Sequence, residues 1–91
     1  MDLLACRNKL DVIDKRIVKL FEERMDICGK VAETKIATGK AVYDAEREKQ
    51  KLEAVSAMAG SDFNQIAVRE LFSQMMSISR KYQYSILAEH G

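Results

Sequence analysis

Helical periodicity over the first third of the chain is the feature that most constrains its fold. Apolar side chains recur every three or four residues from Leu3 to about Ala37, which is the spacing of one face of an α-helix. None of the 91 residues is proline and only four are glycine, so few positions can end a helix. The pattern therefore predicts one continuous helix over residues 3–37.

Local signals predict a second, shorter helix. Gly39 is a suitable C-terminal stop for the first helix, since glycine adopts the left-handed conformation that often ends one. Asp44 has the side chain of an N-cap residue, and acidic residues follow it in the first turn, where the helix dipole favours them. The predicted second helix spans residues 45–59 and stops at Gly60.

A third helix completes the predicted domain. Asp62, with Gln65 three residues later, resembles a capping box and predicts the start of a helix over residues 62–88. A chain of this length forms one core rather than two. The prediction is therefore an all-α fold in a single domain, residues 1–91, with helices that are long, short and long.

The predicted first helix is too long for a globule that one chain can build. About 35 residues extend ~52 Å, whereas a compact domain of this size has a radius of gyration of ~12 Å. An apolar stripe along the whole helix needs a cover, and a second copy of the chain is the most economical one. We therefore expect an intertwined helical homodimer. A bent or broken first helix is the alternative.

Charge and hydropathy disfavour several classes of partner. Fifteen basic and fourteen acidic residues give a net charge of +1, which does not favour nucleic acid or an anionic membrane surface. The sequence contains no stretch of 18 apolar residues, which a helix that spans a bilayer would need. No secretory signal is visible before the first helix. We expect a cytoplasmic protein that binds neither nucleic acid nor membrane.

The cysteines and the single histidine do not indicate redox or metal chemistry. On one continuous helix, Cys6 and Cys28 would lie ~33 Å apart, too far for a disulfide within the chain. We interpret them as small apolar residues in a reducing compartment. The histidine, His90, lies at the chain end, and no cysteine or histidine spacing typical of a metal site occurs. We expect no metal and no cofactor.

Polar residues interrupt the apolar faces of all three predicted helices. Each one alone has a simple structural explanation, because a basic side chain on an apolar face usually extends to water. Together they would be costly to bury without a polar ligand, so the set predicts a pocket for a small anion. The inward-facing residues are Arg24, Lys35, Glu48, Ser79 and Gln83, with Arg47 adjacent to Glu48.

Arg7 adds a geometric argument for a shared site. It precedes Arg24 by seventeen residues, which is ~25 Å along a helix, too far for one small ligand to contact both from the same subunit. In an antiparallel intertwined dimer, Arg7 of one chain could reach the site of the other. An exposed arginine with no role in the site is the alternative.

The order and spacing of these residues resemble the all-helical class of chorismate mutases. The resemblance covers about residues 4–87, and one departure is Ala41, where the family often has proline before the valine of the loop. That departure affects the stiffness of the loop and not the chemistry. With x for positions outside the match, the matching patterns are RxKLDxID at 7–14, LFxxR at 20–24, VAxxK at 31–35, VxDxxRE at 42–48 and LFxxMMxxSxxxQ at 71–83.

The resemblance implies a fold, a reaction and a substrate. The family rearranges chorismate to prephenate, a unimolecular pericyclic step toward phenylalanine and tyrosine, in dimers whose long first helices are shared between two equivalent sites. The reaction needs no covalent intermediate and no proton transfer, so the lack of a nucleophile or metal is expected. The enzyme must hold a reactive conformer and stabilise the charge that develops as the C–O bond breaks.

The resemblance also implies a role for each site residue. Arginines suit a dicarboxylate because their planar forks bind carboxylates in a bidentate manner. Arg24, and Arg7 from the partner chain, would bind the two carboxylates with help from Ser79. Lys35 and Gln83 would donate to the ether oxygen. Glu48 and the backbone at Asp44 would hold the ring hydroxyl. Arg47 would supply a positive electrostatic field nearby.

Two other functions stay open at this point. An isochorismate-pyruvate lyase on the same scaffold would use nearly the same pocket, but Glu48 is placed for a chorismate-type hydroxyl. A non-catalytic dimeric helical adaptor would have no reason to keep charged side chains on core faces. The sequence is also compatible both with a free-standing enzyme and with the N-terminal domain of a fusion to a prephenate dehydratase or dehydrogenase.

Overall fold

Three α-helices make up the computed structural model, which describes residues 2–90. The helices are α1 (Leu3–Thr38), α2 (Ala45–Met58) and α3 (Asp62–His90), and no strand occurs between residues 2 and 90. The predicted all-α class and the long, short, long order are confirmed. The end points of the predicted domain, residues 1 and 91, lie outside the described range.

Local hydrogen bonds fix both ends of α1. At its start, the Asp2 side chain accepts a 2.7 Å hydrogen bond from the Ala5 amide. At its end, Gly39 has a φ of 71°, the left-handed conformation that only glycine adopts without strain. The next amide, that of Lys40, then donates to the Lys35 carbonyl at 2.9 Å. Gly39 is thus the stop that the sequence predicts.

α2 begins as expected and ends slightly earlier. Asp44 is extended, with φ −127°, and its carboxylate accepts a hydrogen bond from the Arg47 amide at 3.0 Å. This is the geometry of an N-cap, as predicted. The last helical residue is Met58, because Ala59 turns to an extended conformation with ψ 145°.

The start of α3 corrects the predicted cap. Asp62 is the first residue of the helix, and Ser61 before it does the capping: its Oγ accepts from the Asn64 amide at 3.2 Å and its carbonyl from the Gln65 amide at 2.9 Å. A serine hydroxyl makes the same N-terminal hydrogen bond as an aspartate carboxylate. Asp62 instead places its charge in the first turn, where the helix dipole favours it.

α3 is the central element and packs against both other helices. Only seven residues between 2 and 90 are buried, and three of them are polar. The core of the single chain is therefore small and includes polar side chains. The buried residues are Ala32 on α1, Val42 in the loop, Val55 and Ser56 on α2, and Met76, Ser79 and Gln83 on α3.

The isolated chain leaves most of α1 uncovered. α1 is unbroken from Leu3 to Thr38, which excludes the alternative of a broken first helix. The molecule measures 53 × 26 × 14 Å with a radius of gyration of 16.3 Å, against ~12 Å for a compact domain of this length. The exposed large apolar residues of α1 are Leu3, Leu4, Leu10, Val12, Ile13, Ile17, Val18, Leu20, Ile27 and Val31. Even so, no helix within residues 2–90 combines the length and apolar character needed to cross a membrane.

Candidate active site

A cavity of about 180 Å³ lies between the three helices and the loop that joins α1 to α2. Seven of the eight predicted site residues line it, and we call it the central cavity. Arg7 does not line it; Arg7 is exposed near the start of α1. The lining residues are Arg24, Cys28, Val31, Lys35, Val42, Asp44, Arg47, Glu48, Lys51, Met76, Ser79, Arg80 and Gln83.

Arg24 connects α1 to α3 at one end of the central cavity. Its Nη1 donates a 2.9 Å hydrogen bond to Ser79 Oγ, and its guanidinium carbon lies 6.0 Å from the centre of the Phe72 ring. The Cys28 thiol, one helical turn after Arg24, lies 3.5 Å from the same Ser79 oxygen. These contacts hold the guanidinium in a fixed position, with further N–H donors available to a ligand.

Lys35 connects α1 to the loop at residues 39–44. Its Nζ donates a 2.7 Å hydrogen bond to the backbone carbonyl of Val42, which is buried. An ammonium group carries three N–H donors, so this bond orients the side chain and leaves two donors for a ligand. The helical spacing that places Lys35 three turns after Arg24 therefore brings both cations to one cavity, as predicted.

The N-terminus of α2 forms another wall of the central cavity. Asp44, Arg47, Glu48 and Lys51 occupy its cap and first two turns, and all four line the cavity. Oδ1 of Asp44 accepts a hydrogen bond from the Arg47 amide, so this carboxylate also caps α2. The amide dipoles at the start of α2 add partial positive charge on this side.

Gln83 contributes a buried amide to the cavity wall. Its side chain is 8% exposed, and its Oε1 has no hydrogen-bond partner within residues 2–90. A buried polar atom without a partner costs about 1–3 kcal/mol. An unpartnered amide oxygen on a cavity wall therefore favours a ligand that donates a hydrogen bond, such as one with a hydroxyl group.

Sequence analysis missed several lining residues, of which Arg80 makes the strongest contacts. Arg80 donates a hydrogen bond to Oε1 of Glu48 and lies 5.1 Å from the centre of the Tyr43 ring. The hydrogen bond to Glu48 raises the pKa of Arg80, an effect that partial burial opposes. No sequence signal distinguishes Arg80 from a solvated arginine. Cys28, in contrast, could have been found, because it lies four residues after Arg24 on the same helical face.

The charges around the central cavity suit a small dianion. Five cationic side chains and two carboxylates line the cavity, and one of these carboxylates is paired with Arg80 while the other caps α2. A low-dielectric cavity with excess positive charge attracts anions, and arginines select carboxylates through bidentate bonds. The fold and the site together define an all-helical protein with a cationic cavity that suits a small anion.

Comparison with protein families identifies the family to which this architecture belongs. The family described as chorismate mutase type II matches residues 6–84, which is most of the chain. The chain therefore belongs to the chorismate mutase type II family, in agreement with the resemblance seen in the sequence.

Individual relatives carry corresponding names. The bifunctional chorismate mutase/prephenate dehydratase of Buchnera aphidicola subsp. Acyrthosiphon pisum is 45% identical over 51 residues, 56% of this chain and 13% of that protein. Its counterpart in Escherichia coli K12 is 26% identical over 89 residues, 97% of this chain and 23% of that protein. The chorismate mutase of Methanocaldococcus jannaschii is 45% identical over 47 residues, 52% of this chain and 48% of that protein. The chain thus spans a quarter or less of the bifunctional relatives.

Proposed function

We propose that this chain converts chorismate to prephenate in the central cavity. The observation that carries the proposal is the convergence of seven predicted residues, from three helices and one loop, on a single cationic cavity. In this rearrangement the ether C–O bond breaks while a C–C bond forms within the same molecule. No proton is transferred, so the protein has to supply shape and charge rather than a base or a nucleophile.

Arg24 and Ser79 form the first anchor for a substrate carboxylate in this proposal. The 2.9 Å hydrogen bond between them leaves the guanidinium fixed and only partly occupied. A preorganised guanidinium loses less entropy on binding a carboxylate than a mobile one. The second carboxylate would be bound by Arg7 of a second copy of the chain.

Lys35 and Gln83 are the proposed donors to the ether oxygen, which becomes negative as its bond breaks. Lys35 has two N–H donors beyond the one that holds Val42. Gln83 is buried, so its amide acts where charges are poorly screened. Donors that are already in place when the charge develops lower the barrier without reorganisation.

Glu48, Asp44 and Arg47 are proposed to bind the ring hydroxyl and balance the local charge. Glu48 uses Oε1 for Arg80 and so leaves Oε2 to accept a hydrogen bond from a hydroxyl. Asp44 would contribute its backbone, because its carboxylate caps α2. Arg47 would add positive field at the rim of the cavity.

A homodimer with shared sites is part of the same proposal. α1 carries ten exposed large apolar residues along its length, and the 53 × 26 × 14 Å shape of one chain leaves them uncovered. A second copy packed along α1 would bury this surface. An antiparallel arrangement would also bring Arg7 near the other chain's cavity, which it does not line in its own chain. The two unpaired cysteines fit the reducing cytoplasm in which we place the protein.

The activity can be tested by incubating micromolar protein with chorismate and identifying the product by NMR. We expect prephenate, with about 10²-fold or greater loss of rate for Lys35→Met, since it removes a donor to developing charge. Lys49→Met is the matched control, because Lys49 is exposed on α2 and does not line the cavity. Folded protein that leaves chorismate unchanged would support the adaptor. Release of pyruvate and salicylate from isochorismate would support the lyase.

A further inference from the structure

Arg80 lines the central cavity but has no role in the proposed mechanism so far. It follows Ser79 on α3, lines the central cavity and donates a hydrogen bond to the Glu48 carboxylate on α2. The two side chains are only 29% and 24% exposed, so the pair is partly shielded from water. Thirty-two residues separate them in sequence, and the packing of α2 on α3 brings them together.

Tyr43 makes a second contact with the Arg80 guanidinium. The guanidinium carbon lies 5.1 Å from the centre of the Tyr43 ring, within the distance of a cation–π contact. Tyr43 directly precedes Asp44, the cap of α2. Two contacts therefore restrain Arg80, one with the ring before α2 and one with the carboxylate in its first turn, so it is more than a solvated surface residue.

Glu48 needs such a partner if the cavity binds a dicarboxylate. An unpaired carboxylate in the cavity would repel a dianionic ligand, and it could rotate away from the hydroxyl that it is meant to bind. Arg80 compensates the charge and restrains the rotamer by binding Oε1. Within residues 2–90 no side chain donates to Oε2, so that oxygen is left for the ligand.

Resting on the proposed function, we infer that Arg80 is a positioning residue of the chorismate site. Arg80 holds the Glu48 side chain in place and neutralises the charge of its carboxylate. Glu48 can then accept a hydrogen bond from the ring hydroxyl of a dianionic substrate. Arg80 acts through Glu48 and not through its own contact with the substrate. Its effect should therefore depend on Glu48 being present.

A double-mutant cycle tests this dependence. Steady-state kcat and KM for chorismate are measured for wild type, Arg80→Met, Glu48→Gln and the double variant, with folding checked by circular dichroism. We expect Arg80→Met to raise KM about tenfold or more, since it leaves a partly buried charge unpaired. In the Glu48→Gln background the same change should alter KM less than about threefold, because the charge to be balanced is gone.

Three further variants complete the test. Arg80→Lys should restore most of the affinity, because it keeps the charge beside Glu48. Arg80→Gln replaces Arg80→Met in the cycle if the latter does not fold. Arg69→Met is the control, since Arg69 is exposed on α3 away from the cavity, and it should match wild type.

The possible results separate the inference from the function on which it rests. An inactive wild type overturns the proposed function and this inference with it. If wild type is active and Arg80→Met has the wild-type KM, the inference alone is overturned. It is also overturned if Arg80→Met is equally harmful with and without the Glu48 carboxylate, because Arg80 then acts directly on the substrate.

Discussion

Arg24 on α1 and Ser79 on α3 are fifty-five residues apart in sequence and are joined by a 2.9 Å hydrogen bond from Nη1 to Oγ. Ser79 is only 4% exposed, and its Oγ accepts hydrogen bonds from Arg24 and from the neighbouring Cys28 thiol. The pair connects the two long helices where the central cavity begins. The position of the Arg24 guanidinium, which we propose binds substrate, therefore depends directly on how α1 packs against α3.

Alkylation of Cys28 should block the site. The Cys28 thiol lines a cavity of about 180 Å³, so an added acetamide group would fill space that the substrate needs. In the Cys6→Ala background we expect iodoacetamide to reduce activity in proportion to the modified fraction measured by mass spectrometry, with protection by chorismate. Cys28→Ala is the matched control, and its treated and untreated samples should have equal activity. Full activity with Cys28 fully modified would contradict the placement of Cys28 on the substrate cavity.

Gln83→Glu should make the reaction depend on pH. The glutamine amide donates at any ordinary pH, whereas the substituted carboxyl donates only when protonated. A free glutamate has a pKa of about 4.3; burial raises the pKa of the substituted carboxyl, and the cations Lys35 and Arg47 lower it. We expect the variant to lose about 10²–10³ or more in rate at pH 7.5, the usual cost of a lost donor to developing charge, and to recover toward pH 5.

The measurement for Gln83→Glu is kcat/KM from pH 4.5 to 8.5, with folding checked by circular dichroism at both ends. Wild type should stay comparatively flat over this range, because its amide does not titrate. A variant as active as wild type at pH 8 would exclude Gln83 as a donor to the ether oxygen.

Mixing two inactive variants should restore activity if the sites are shared. Arg7→Ala and Arg24→Ala each damage every site in their own homodimers. In a heterodimer with Arg7 acting across the interface, one site receives both changes and the other receives neither. Co-refolded mixtures should therefore recover part of the wild-type activity, up to half per heterodimer. Proven subunit exchange without recovery would contradict the contribution of Arg7 from the second chain.

Removing the cap of α2 should lower stability. Asp44→Ala deletes the acceptor for the Arg47 amide, a loss that typically costs about 0.5–2 kcal/mol. For a domain of this size each kcal/mol lowers Tm by about 4–8 °C, so we expect a fall of several degrees by thermal circular dichroism. Asp44→Asn, which keeps a capping oxygen, should retain most of the Tm at the same protein concentration. Equal Tm values for the alanine and asparagine variants would show that the cap contributes nothing.

The sequence by itself determined the helices and most of the candidate site. Helix ends depend on contacts between residues three to five apart, which is why Gly39 and Asp44 could be identified in advance. Residues on one helical face also stay together whatever the helix packs against, so Arg24 and Lys35 reach the same cavity. Even the misplaced cap of α3 differs by only one residue, because Ser61 and Asp62 are both capping side chains.

Only the tertiary structure decided which side chains from different helices meet. The Arg80–Glu48 pair depends on the rotation of α3 against α2, and either residue alone has the pattern of an ordinary surface charge. The unpartnered oxygen of Gln83 likewise follows from what surrounds it and not from its neighbours in sequence. Periodicity fixes the direction of a side chain relative to its own helix, whereas contacts between helices depend on packing angles and offsets that no local spacing encodes.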